Sequence, residues 1–84
     1  MRRRNAECGP LLSWDESRRV GAEVRRLRKA AGLLQYDIAH AAGVSAYMVS
    51  RLERGRHRWR ERDAAKAAAE LGTALEVLLA GGPS

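Results

Sequence analysis

The sequence predicts an all-α fold, a bundle of five short helices. Three observations predict it. Apolar residues recur at spacings of three and four, no segment alternates with period two, and glycines cut the chain into helix-length stretches. The chain of 84 residues has room for one small domain. Its 45% hydrophobic and 31% charged residues suit a folded globular chain.

Residues 1–12 mix Arg, Asn, Gly and Pro without periodicity and are expected to form a flexible basic arm. The domain is expected over residues 13–80, with residues 81–84 as a tail. Ser13 and Glu16 fit a capping box at the start of the first helix, and Ser17 offers a second cap. Val20, Val24, Leu27 and Ala31 then mark one buried face, while Arg18, Arg19, Arg25, Arg26, Arg28 and Lys29 crowd the rest. Gly32 ends this helix. The second helix runs from Gln35 to Ala42 with Ile38, Ala39 and Ala42 inward, and Gly43 stops it. Ser45 caps a third helix, Ala46 to Arg54, with Val49 and Leu52 inward. An Ala-rich fourth helix spans Arg60 to Leu71 and stops at Gly72. Thr73 caps a fifth, Ala74 to Ala80.

Charge is unevenly spread. Residues 1–17 carry three basic and three acidic residues, residues 18–62 carry twelve and four, and residues 63–84 carry one and three. The basic excess peaks between Arg51 and Arg62, with six Arg in twelve residues. A localised positive field is the footprint of a polyanionic partner; an Arg-rich solvated surface is the plainer reading.

Several function classes are excluded. The single cysteine, Cys8, allows no intrachain disulfide and no Cys-based zinc site. His40 and His57 lack a third ligand at metal spacing, so no metal or other cofactor is expected. No nucleophile–base pair or phosphate loop is visible, so the chain does not read as an enzyme. The longest apolar run, Val77 to Ala80, is four residues, and nothing resembles a signal peptide. A cytoplasmic location is the default expectation.

The second and third helices belong together. Only Gly43, Val44 and Ser45 separate them, a turn tight enough to force a steep crossing of the helix-turn-helix kind. Ala39 is small where the helices cross, Gly43 admits positive φ, and Val44, Val49 and Leu52 fill the angle. Ala46, Tyr47, Ser50 and Arg51 are left on the outer face of the third helix.

These residues resemble the Cro/cI-like helix-turn-helix domain, also called the XRE family. The resemblance runs from Val20 to Leu79. It is carried by Val24 to Gln35, Ile38 and Ala39, Gly43 to Ser45, Val49 and Ser50, Glu53 to Gly55, and Leu71 and Gly72. It implies a five-helix, lambda-repressor-like bundle that binds operator DNA, usually as a homodimer, and represses transcription. By position, Gln35 matches the residue that bonds a phosphate from a helix N-terminus, a setting that suits anions in general. Ala46, Tyr47 and Arg51, with Ser50 more weakly, match the positions that read base edges in the major groove. Arg54, Arg56, His57 and Arg58 match the segment that grips the backbone. Leu75, Leu78 and Leu79 are the expected dimer interface.

Plainer alternatives stand beside these roles. Arg51 could bond a phosphate or Glu53, Tyr47 could lie as a lid on the fold, and the last helix could simply close the bundle. Glu53 is expected to pair with Arg25 or Arg28 of the first helix. Trp14 and Trp59 are expected in the core or at a subunit interface. Trp59 stands where the family often has Pro. Ala64, Ala67 and Ala68 replace larger aliphatics, which would bring the fourth helix close to its neighbours. Ala46 replaces a long polar residue.

A rival reading is an antitoxin- or adaptor-type protein-interaction module, with a toxin or another regulator as partner. Arg2 to Arg4 of the arm are expected to follow an adjacent minor groove.

Overall fold

The structure, a computed structural model, describes residues 9–81. The expectations for Arg2 to Arg4, for Cys8 and for residues 82–84 fall outside them. Five helices follow one another: α1 (Trp14–Ala30), α2 (Gln35–Ala42), α3 (Ala46–Glu53), α4 (Glu61–Glu70) and α5 (Leu75–Leu79). No strand occurs among the described residues beyond one antiparallel bridge between Leu11 and Arg60.

Capping chemistry sets the helix starts. The Ser13 hydroxyl accepts from the Glu16 N–H at 3.0 Å, and the Glu16 carboxylate accepts from the Ser13 N–H at 2.9 Å. The Ser45 hydroxyl accepts from the Met48 N–H at 3.0 Å. Leu34 has no side-chain oxygen, so Asp37 does the reverse half of this work, accepting from the Leu34 N–H at 2.8 Å. Between α2 and α3 the chain turns at Gly43 with φ 75° and ψ 31°. The Gly43 and Val44 N–H groups both donate to the Ala39 carbonyl, at 2.9 and 3.0 Å. That left-handed residue ends α2 and turns the chain into α3, which packs against it.

Several expectations are corrected at the ends. Ser17 is no cap; it is fully buried inside α1, and its hydroxyl accepts the Trp59 N–H at 2.9 Å. Ala31 is exposed just beyond α1, and the buried stripe runs instead through Ser17, Val20, Gly21, Val24 and Arg28. Thr73 is one residue too early, since Ala74 holds the cap position of α5. Arg54 caps α3, and Arg60 and Leu71 cap α4, as termini commonly drift by one residue.

The last residues of the expected arm join the fold. Leu12 is buried, its N–H donates to the Trp59 carbonyl at 2.8 Å, and the Glu61 N–H donates to the Pro10 carbonyl at 2.8 Å. Arg58 Nε donates to the Leu12 carbonyl at 2.7 Å. Residues 10–12 thus lie along the α3–α4 connection.

The core is built from Leu12, Val20, Val24, Ile38, Ala39, Val49, Leu52, Trp59, Ala64, Ala67, Ala68 and Leu78. α2 packs against α3 and α4, and α1 against α3 and α5. The three alanines of α4 present almost no side-chain bulk, and Trp59, fully buried, supplies volume beside them. Its indole N–H has no hydrogen-bond partner among the described residues. Trp14, by contrast, is exposed.

Candidate nucleic-acid interface

α3 is anchored on its inner side and open on its outer side. Val49, Leu52 and Glu53 are buried, while Tyr47 keeps 71% of its surface. Helical spacing puts Tyr47, Ser50, Arg51 and Arg54 along the outer stripe. Ala46 is half-buried and packs against the core, so it adds less to that face than its position implied. Ser50 and Arg51 are half-buried, and Arg54 is exposed.

Arg51 is held in place. Its guanidinium lies 5.9 Å from the centre of the Tyr47 ring, and Nη2 donates to the Arg56 carbonyl at 3.3 Å. It makes no bond to Glu53, whose carboxylate is taken by other partners.

Those partners form a buried ionic junction. Arg28 donates from Nε to Glu53 Oε2 at 2.7 Å and from Nη2 to Oε1 at 3.1 Å. Its Nη1 donates to the Leu33 carbonyl at 3.0 Å. Gln35 Nε2 also donates to Glu53 Oε1 at 3.1 Å. The end of α1, the first residue of α2 and the last residue of α3 therefore meet at one carboxylate. Of the two expected partners for Glu53, the structure pairs it with Arg28. A bidentate Arg–carboxylate pair fixes orientation as well as distance.

The expected phosphate-gripping residues divide. Arg54 and Arg56 are exposed beside α3. Arg58 is half-buried and its Nε serves the Leu12 carbonyl, and the His57 Nδ1–H donates to the Arg58 carbonyl at 3.0 Å. Gln35 is half-buried, with its amide turned to Glu53.

Two exposed apolar residues escaped the sequence reading. Leu34 and Tyr36 flank Gln35 at the start of α2 and keep 66% and 69% of their surface. Their signal was a pair of large side chains outside the Ile38–Ala39–Ala42 stripe, with no core position to fill.

The expected dimer interface is corrected in one residue. Leu78 is fully buried within the bundle and belongs to the core. A five-residue helix has one inward turn, and Leu78 occupies it. Leu75 and Leu79 are half-buried against the core, and Val77 is the exposed apolar residue of α5. Arg19 Nη1 donates to the Leu79 carbonyl at 3.0 Å and ties the end of α5 to α1.

Among the described residues no group of three or more His, Cys, Asp or Glu gathers as a metal site. No described helix is long and apolar enough to cross a membrane.

A family model described as "Helix-turn-helix domain" matches residues 19–80, which takes in the whole stretch, Val20 to Leu79, that resembles the Cro/cI-like domain. Comparison with curated proteins and with solved structures gives no significant match.

Proposed function

The chain belongs to the helix-turn-helix domain family, and we propose that it is a sequence-specific DNA-binding regulator that acts as a repressor. In this reading a homodimer binds a palindromic operator with α3 in each major groove. The observation that carries it is the outer face of α3. An exposed Tyr47 and a braced Arg51 stand over a helix whose inner face is locked into the core.

The division of labour follows from chemistry. Arg51 offers the forked donors that match guanine O6 and N7, and Tyr47 and Ser50 flank it. Ala46 gives a small apolar contact near the start of α3. Arg54 and Arg56 are open to phosphates, which set affinity and register without reading sequence. His57, Arg58 and Gln35 assist from positions already tied to the protein. The α2 N-terminus directs its dipole at a phosphate beside Gln35. Leu75, Leu79 and Val77 supply the surface for a second copy.

Hydroxyl-radical footprinting on a bound duplex tests this reading. A two-fold dimer protects two patches on one face of the duplex, about 10 bp apart. A single patch, or protection that drifts over the whole duplex, contradicts it.

A further inference from the structure

Tyr47 and Arg51 stand one turn apart on α3, and their side chains meet with the guanidinium carbon 5.9 Å from the ring centre. The ring fills no core space, being among the most exposed large side chains described. The guanidinium is steadied at its other end by the Arg56 carbonyl, and its remaining N–H groups have no partner among the described residues. An arginine meant only to attract phosphate gains nothing from being held over a ring and braced by a carbonyl. A pre-set fork suits a planar acceptor pair.

Resting on the DNA-binding reading above, we infer that Tyr47 and Arg51 form one reader of a two-base step: a guanine beside a pyrimidine that carries a C5 methyl. Guanine offers two acceptors, O6 and N7, in the plane of its base pair. A guanidinium bonded to both lies in that plane. The Tyr47 ring, its centre 5.9 Å from the guanidinium carbon, is then offset along the groove toward the neighbouring base pair. What that neighbour presents in the major groove is the C5 position of a pyrimidine, and its methyl is an apolar group that an aromatic ring can contact. Thymine and 5-methylcytosine share this chemistry.

The test uses the full chain and duplexes carrying its selected binding sequence. Uracil replaces thymine at each half-site position in turn, which removes only the methyl. Where a cytosine adjoins the guanine, 5-methylcytosine replaces it. One position per half-site should show weaker binding with uracil by about fourfold, the effect of burying one methyl. A methylated cytosine there should strengthen binding by a similar factor. Y47A should abolish these differences, Y47F should keep them, and R51A should lose the preference for guanine.

Equal binding of thymine and uracil duplexes at every position would overturn the inference. So would a methyl effect that persists in Y47A, or a selected sequence with no guanine beside a pyrimidine. Those outcomes leave DNA binding intact. Selection of no sequence at all would sink the sequence-specific reading itself, and this inference with it.

Discussion

Gly21 of α1 lies directly against the backbone of Leu52 in α3: a Cβ built on Gly21 would sit 2.1 Å from the Leu52 carbonyl oxygen. The contact explains a glycine in the middle of a helix, where alanine is intrinsically better by about 1 kcal/mol. It lets α1 support α3 at close range. G21A should therefore destabilise the domain by about 1–3 kcal/mol in urea unfolding, despite its better helix propensity. A stabilised variant would show that the two helices can separate at no cost.

The Arg28–Glu53 pair is the second support of α3. Removing either partner leaves a buried charge unpaired, so Arg28→Ala or Glu53→Ala should each cost about 3–5 kcal/mol. The double variant should lose less than the sum of the two, because each change has already broken the same bonds. Additive losses in a thermodynamic cycle would mean that the pair is not coupled.

Arg51 and Arg56 should separate in binding assays. Arg51→Ala should lose discrimination at one base pair of each half-site, by about 1–3 kcal/mol. Arg56→Ala should weaken all sequences alike and lower the salt slope by about one per subunit. Identical behaviour of the two variants would erase the distinction between reading and gripping.

Residues of α5 should also part ways. Leu78→Ala empties a fully buried site and should cost about 2–5 kcal/mol of stability. Val77→Glu changes an exposed residue and should leave the fold intact while weakening the proposed dimer. Sedimentation velocity reads the difference. An unchanged association state in Val77→Glu would place the dimer contact elsewhere or remove it.

The helix-turn-helix was legible because its requirements are local. A small Ala39, a left-handed Gly43 and branched residues at Val44, Val49 and Leu52 all fall within one short stretch. The pairing of Glu53 was half legible. Arg28 follows Val24 by four residues and so shares the buried stripe, whereas Arg25 points away. Leu78 was misread because a five-residue helix has no spare apolar face, and only its final position shows which leucine turns inward. Leu12 and Ser17 were misread for another reason. Their partners lie beyond α3, at Trp59, and no local pattern links residues so far apart. The role of Gly21 is likewise set by a backbone in another helix. At the candidate interface, composition and family pattern indicated Tyr47 and Arg51. Their mutual contact and the exposure of Tyr36 required coordinates.

The most direct test of DNA recognition is selection of bound duplexes from a random pool, followed by sequencing. The expected result is a two-fold symmetric motif with half-sites about one helical turn apart and a guanine in each. No enriched motif, with binding that falls steeply as salt rises, would contradict it. The basic surface would then be attracting phosphate alone, and the helix-turn-helix would serve as a scaffold for a protein partner.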